Sequence, residues 1–323
     1  MKRAVVAASI AAGVLLVALL PVFVKSDYPL GVMIGVLLAV SLGAAWNIIG
    51  GFAGQYSLGH SAYFGVGAYT IVVLLGRGIA PWWGALLGSI LASAVALLIG
   101  SICLRLRGAY FVLASIAVAE ILRLLALWAK SLTNGAEGIL VGEFPPFTIF
   151  GHFVTDFTGK PPFFYMALGL AVFCVATNGV IKRTKLGYYL QAIREDQDAA
   201  WSLGIPLALY KNAALLISAA LAAQAGALTA TYVAFMDPNA MLGLDVSVRA
   251  VLVCILGGLG TVWGPVAGAI VFALLDEALL RYLTQSHLFG LGMLLILAIL
   301  FLPDGLAGLA ARLRVKARAK ARA

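Results

Sequence analysis

GGFAGQYSLGHSAYFGVGAY, residues Gly50 to Tyr69, breaks an otherwise lipid-like sequence with closely spaced small residues. Gly50, Gly51, Gly54, Gly59, Gly65 and Gly67 fall within eighteen positions, beside Ala53, Ser57, Ser61, Ala62 and Ala68. Non-helical backbone at membrane depth survives only where protein buries it or where it lines a water-filled cavity. Two readings compete. In the first, small residues let helices approach closely, with Gly59, Ser61 and Ala62 as a packing face. In the second, the chain unwinds at about 50–59 and restarts as a half-helix near Ser57 or Ser61, whose N-terminal amides face a central path and suit a substrate carboxylate. Gln55, Ser57, Gly59, His60 and Gly65 are then the candidate residues of the translocation path. His60 is the only histidine in an expected span. A lone buried histidine is more often a hydrogen-bonded packing residue than a ligand.

The sequence around the break is that of a membrane protein. Of 323 residues, 63% are hydrophobic and 11% charged, with a mean hydropathy of +1.04. Soluble domains carry about 25% charged residues. Apolar runs fall at roughly 4–24, 30–49, 60–76, 82–104, 109–128, 163–181, 212–235, 242–256, 265–283 and 288–302. A transmembrane helix needs about 20 such residues, and the runs are too continuous for the alternating ~10-residue strands of a barrel. The expectation is an all-α integral membrane fold of about ten transmembrane helices. It forms one transmembrane domain over 1–323, with spans within 4–302, an inner loop at 182–211 and a basic tail at 303–323. The run 242–256 is the shortest, and a re-entrant segment would also fit it. The first run, after Met1-Lys2-Arg3, exceeds the 7–15-residue apolar core of a signal peptide and lacks an A-x-A-like site, so it reads as a retained span.

Charge sets the expected orientation. With Lys2 and Arg3 in the cytoplasm, the alternation of sides also places Arg105, Arg107, Lys182, Arg183, Lys185, Arg194, Lys211 and the basic tail there. That agrees with the positive-inside rule, with both termini cytoplasmic. Much of the net charge of +9 lies in that tail (Arg312, Arg314, Lys316, Arg318, Lys320, Arg322), which reads as a topology anchor on anionic lipid and not as a nucleic-acid site. Cys103, Cys174 and Cys254 lie in or at the ends of separate apolar runs without ligand spacing, so neither a disulfide framework nor a metal site is implied.

Opposite charges recur at helical spacing inside the spans: Glu120 with Arg123, Asp245 with Arg249, and Glu277 with Arg281. Pairing lowers the cost of charge in a bilayer. These read as structural ion pairs fixing packing or an oligomer contact, with a gate or proton relay as the alternative. No acid sits deep in a span without a basic neighbour, which argues against a proton-coupled carrier. A second glycine run, LGGLGTVWGPVAGA from Leu256 to Ala269, contains no G-x-x-x-x-G-K-[ST] phosphate loop and only faintly repeats the first.

The remaining anomaly is REDQDAAWSLGI, Arg194 to Ile205, a polar helix between long apolar spans that Gly204 and Pro206 stop. Ala199, Ala200 and Leu203 form its small apolar face, and Arg194, Glu195, Asp196 and Asp198 its polar one. It reads either as an amphipathic helix on the membrane surface or as a helix that docks in a partner's groove.

Asp198–Gly204, D-A-A-x-x-x-G, resembles the E-A-A-x-x-x-G coupling motif of ABC importer permeases, with Asp198 keeping the charge where Glu is usual. GGFAGQYSLGHSAYFGVGAYT, LRLRGAYFVLASIAVAEILR (Leu104 to Arg123), AIREDQDAAWSLGI and ILGGLGTVWGPVAGA resemble the branched-chain amino acid permeases of the LivM family, in the same order, over about residues 36–303. The resemblance implies a BtuC-like (type II) importer permease without enzymatic activity of its own. Its implied partners are a second permease subunit, two cytoplasmic ATPase subunits and an extracytoplasmic substrate-binding protein. ATP and magnesium would be held by the ATPases, leaving this chain no cofactor, no metal and no catalytic residue. Arg194, Glu195, Asp198, Ala199, Ala200 and Gly204 would couple it to the ATPases in a bacterial inner membrane. The implied substrates are leucine, isoleucine and valine; urea, amides or small carboxylates are the alternatives within the family, and a self-sufficient secondary transporter the alternative outside it.

Overall fold

The computed structural model describes residues 2–23, 26–142, 147–149, 152–155, 159–282 and short pieces of 289–308. The apolar runs become helices: α1 (Lys2–Phe23), α2 (Asp27–Asn47), α3 (His60–Leu75), α4 (Pro81–Cys103), α5 (Ala109–Trp128), α6 (Lys130–Thr133), α7 (Pro161–Ile181), α8 (Lys185–Glu195), α9 (Gln197–Ser202), α10 (Leu207–Val233), α11 (Pro238–Leu242), α12 (Leu244–Gly257) and α13 (Gly264–Tyr282). Proline opens α4, α7 and α11, where its missing N–H costs no hydrogen bond. Asp237 caps α11, its Oδ1 accepting from the amides of Asn239 and Ala240.

Among the described residues, six segments are long and apolar enough to cross a membrane: Asp27–Phe52, Pro81–Cys103, Ala109–Trp128, Pro161–Ile181, Leu207–Val233 and Pro238–Gly257. The last absorbs the short run 242–256, because α11 extends α12 across Gly243. The tenth expected span, 288–302, and the basic tail lie largely outside the described residues.

The fold is mostly helical, in keeping with the all-α expectation; short strands occur at Phe235–Met236 and in the loop at 129–162. There α6 and a 3-10 turn (Gly135–Glu137) lead to short strands. β1 (Ile139–Leu140) pairs antiparallel with β4 (Phe235–Met236), and β2 (Phe147–Ile149) with β3 (His152–Thr155). Polar backbone between spans has no helix to satisfy it, and two-stranded pairing does so locally. Pro145 and Pro146 lie outside the described residues, whereas Pro161 and Pro162 start α7.

Small residues assemble the bundle. A Cβ on Gly67 would stand 2.1 Å from the Ala223 carbonyl oxygen, and one on Gly226 2.0 Å from that of Phe64. The backbones of α3 and α10 therefore touch, which dispersion favours where lipid offers no hydrophobic drive between helices. Against this pair α4 lays a stripe of buried Gly84, Gly88, Ala92, Ala96 and Gly100, four residues apart along one face. By contrast α5 shows most of its surface.

Candidate functional site

The helix of α2 ends in a π-helical turn, Ile48–Phe52, and the backbone is irregular from Ala53 to Gly59 before α3 restarts at His60. Protein covers most of it: Gln55, Ser57, Gly59, His60 and Ser61 are buried, while Tyr56 is exposed. Several of the polar groups freed by unwinding find partners. The Gln55 amide donates to the Ile49 carbonyl at 3.0 Å, and Trp46 Nε1 donates to the Ser57 carbonyl at 2.6 Å. Ser115 Oγ of α5 accepts from the Leu58 amide (2.9 Å), Ser57 Oγ from Gly59 (3.2 Å) and Ser247 Oγ of α12 from Ser61 (2.8 Å). The amides expected to face a substrate carboxylate thus meet hydroxyls from α5, α12 and the break itself. Ser61 Oγ and Tyr69 Oη, both buried on α3, have no hydrogen-bond partner among the described residues.

His60 closes a directional chain. Ser218 Oγ lies 2.6 Å from the Ala45 carbonyl, which can only accept, so the single hydroxyl proton of Ser218 is committed there. His60 Nε2, 2.7 Å from Ser218 Oγ, must then carry its own proton and donate. His60 Nδ1 meets Ser57 Oγ at 3.2 Å. The ring is held at both nitrogens between α10 and the break. Gly59 and Gly65 are contact glycines: added Cβ atoms would stand 2.9 Å from the Ser115 carbonyl oxygen and 2.2 Å from Leu242 Cδ2. A lateral pocket of about 390 Å³ lies between α3, α4, α7 and α10, lined by Trp82, Met166, Phe173, Gln224 and Leu228 among others, and none of the five path candidates lines it.

The polar segment is two helices and not one. Asp196 is extended between α8 and α9 (φ −155°, ψ 116°), and its Oδ1 accepts from the amides of Asp198 (2.8 Å) and Ala199 (3.0 Å). A short carboxylate that satisfies two free amides favours a fresh N-cap over continued helix. Gly204 ends α9 at φ +82°, while the Ile205 amide returns to the Ala200 carbonyl at 3.1 Å. The expected apolar face divides accordingly. Ala200 is buried beneath α9, whereas Ala199 and Glu195 are exposed, as are the larger Trp201 (69%) and Leu203 (81%).

Three polar tethers fasten this pair to the bundle. Arg194 Nη1 donates to the Gly51 carbonyl at 2.9 Å, so the guanidinium of this otherwise exposed residue reaches the break. Lys211 Nζ of α10 donates to Gln197 Oε1 at 2.8 Å. Arg107, between α4 and α5, pairs with Asp198 at 2.9 and 3.0 Å, and this hydrogen-bonded guanidinium holds the Asp198 carboxyl below the usual carboxylate range.

Of the three expected intramembrane pairs, Glu120 and Arg123 meet: Nε donates to Oε2 at 2.9 Å, and Nη2 to Oε1, while Nη1 reaches Asn239. Asp245 and Arg249 are both exposed on α12 and do not form an ion pair. Glu277 accepts from the Tyr28 hydroxyl of α2, and the Arg281 side chain lies outside the described residues. Sequence reasoning passed over Arg107 and Lys211, the partners of the polar segment, although Arg107 stands in the LRLRGAY motif. It also missed Asn47, whose Nδ2 donates to Asn178 and to the Thr261 carbonyl while its Oδ1 accepts from the Gly260 amide. A lone Asn at the end of an apolar span was the available signal.

Membrane-length helices packed through small residues, with a tethered helix pair exposed at one end, define a multi-pass helical membrane protein. Residues 28–302 match the family described as branched-chain amino acid transport system / permease component, and the chain belongs to that family. It is 30% identical over 291 residues to the high-affinity branched-chain amino acid transport system permease protein LivM of Escherichia coli (strain K12), covering 84% of this chain and 68% of that protein. It is 25% identical over 293 residues to the corresponding LivH permease protein of the same organism, covering 86% of this chain and 93% of LivH. No solved structure matches the chain.

Proposed function

We propose that this chain is the LivM-like permease subunit of an ATP-driven importer for branched-chain amino acids, lining half of a translocation path and performing no covalent chemistry. Similarity to both LivM and LivH, two permease proteins of one transport system, supports a heterodimer of related permeases. Two ATPase subunits holding ATP and magnesium, and an extracytoplasmic binding protein, complete the assembly. The chain itself crosses the inner membrane ten times with both termini cytoplasmic, in a BtuC-like arrangement.

The observation that carries the coupling role is the exposed pair Trp201 and Leu203, at the outer face of a helix pair otherwise tied down through Arg107, Arg194 and Lys211. Large apolar side chains on a polar surface helix fit a groove in a partner protein. Closure of the ATPases moves α8 and α9, and the connected spans switch the path between outward and inward access. Gln55, Ser57 and His60 border that path in the state where the hydroxyl network opens. The test is uptake of labelled leucine into liposomes holding this chain alone or with its co-encoded partners. Uptake only with partners and ATP is expected. Uptake by the chain alone, driven by an ion gradient, would make it a secondary transporter.

A further inference from the structure

The two glycine runs, only faintly alike in sequence, converge on one side chain. Arg194 lies in the last turn of α8, and its Nη1 donates to the Gly51 carbonyl at 2.9 Å. A Cβ on Gly260 would stand 2.5 Å from that same nitrogen and 2.9 Å from the Gly51 oxygen. One on Gly54 would stand 3.0 Å from Arg194 Cγ, and one on Gly51 2.6 Å from the Gly260 amide nitrogen. Gly54 and Gly260 also take φ of +66° and +70°, which side chains disfavour. Arg194 therefore sits in a socket walled by glycine backbone from both runs. Asn47 clamps the second run to the end of α2 through Gly260 and Thr261, so the socket is one unit.

Every wall of that socket lies outside regular α-helix. Gly51 is in the π-turn, Gly54 in the irregular segment and Gly260 in the loop between α12 and α13. Such backbone changes its dihedral angles at less cost than a hydrogen-bonded helix does, which makes it hinge material. The other tethers end differently: Lys211 belongs to the long α10, and Arg107 meets Asp198 at the exposed surface. Among the three polar tethers, the Arg194 one ends on the breaks, beside the apolar packing of α8 on the π-turn. A guanidinium donating to a carbonyl makes a charge-assisted, directional bond that carries displacement both ways.

We infer that Arg194 is a positioning residue that passes movement of α8 and α9 to the junction of the two glycine breaks, and so sets how much substrate moves per ATP hydrolysed. This rests on the reading of α8–α9 as the docking element. The test uses the complete complex in liposomes, measuring leucine uptake and ATP hydrolysis in the same vesicles for wild type, Arg194→Ala and Arg194→Lys. In Arg194→Ala the ratio of uptake to hydrolysis should fall about tenfold while hydrolysis persists. Lysine, a point charge without the planar fork, should give an intermediate ratio. A merely structural residue would lower both activities together, and an unchanged ratio in both variants overturns the inference. If Arg194→Ala does not assemble, Arg194→Lys decides: a lowered ratio supports the role and a wild-type ratio overturns it. Failure of the wild-type complex to couple uptake to ATP would instead overturn the functional reading beneath it.

Discussion

Glycine serves opposite ends in the two interruptions of this chain. Through the break and α3 it makes room: Gly67 and Gly226 let backbones touch, and any side chain there collides with a neighbouring carbonyl. After α9 room is plentiful, since nothing lies within 4 Å of where a Cβ on Gly204 would stand, and only its φ of +82° demands glycine. The same contrast holds for polar groups. The break is largely buried, with the Leu58, Gly59 and Ser61 amides and the His60 imidazole paired to hydroxyls, whereas the outer face of the α8–α9 pair lies at the surface. The first region resists displacement through packing; the second combines three polar tethers with a buried inner face at Leu190, Ile193 and Ala200, and leaves its outer face to solvent.

Substitutions sharpen that difference, and the largest effect is expected at the crossing of α3 and α10. Gly67→Val must push two backbones apart, at a cost on the order of 3 kcal/mol or more. The variant should fail to accumulate in the membrane or melt far below wild type, and a normal melting temperature would refute the close crossing. Next comes His60→Ala, which leaves Ser57 and Ser218 short of a buried partner and should cost about 2 kcal/mol. Thermal unfolding in detergent measures it; an unaltered transition would mean that the imidazole does not hold the break to α10.

Gly204→Ala should cost about 1 kcal/mol through left-handed backbone strain, with Gly204→Asn recovering part of it because Asn tolerates that conformation. Equal effects of Ala and Asn would point to crowding instead. Smallest is Asp198→Asn, because the Arg107 pair is solvent-exposed and surface pairs contribute little. Its pH dependence has a definite sign. The Asp198 carboxyl is held below its unfolded value, so the tether is fully formed above the ordinary carboxylate range and is lost as pH falls through the depressed value. Binding of partner subunits should therefore not vary through this pair between pH ~6 and ~8.

Much of the architecture is legible in the residues. Uninterrupted apolar runs locate the helices, and six glycines in eighteen positions locate the break. The stripe Gly84, Gly88, Ala92, Ala96 and Gly100 was equally readable at four-residue spacing, but its glycines are sparser than those of the break. Asp196 could have been read as an N-cap, which would have divided the polar segment correctly. The hydroxyls that satisfy the break were not readable. Ser115, Ser218 and Ser247 come from three different helices, and each alone looks like any serine in a span. The division of the expected apolar face, with Ala200 buried and Ala199 and Leu203 exposed, also escaped, because which face of a short helix is buried depends on what lies beneath it. A charged residue at Ala200 would unseat α9 from its own bundle and say nothing about docking.

The outward face of α9 is where the account is most exposed to test. Trp201→Glu combined with Leu203→Glu changes only solvent-facing side chains, so the chain should keep its wild-type melting temperature. Co-purification of the ATPase subunits with tagged wild type and with this double variant is the direct measurement. The account predicts that the variant folds and inserts but loses the ATPases. Retention of the ATPases at wild-type stoichiometry would contradict the assignment of α8 and α9 as the coupling element.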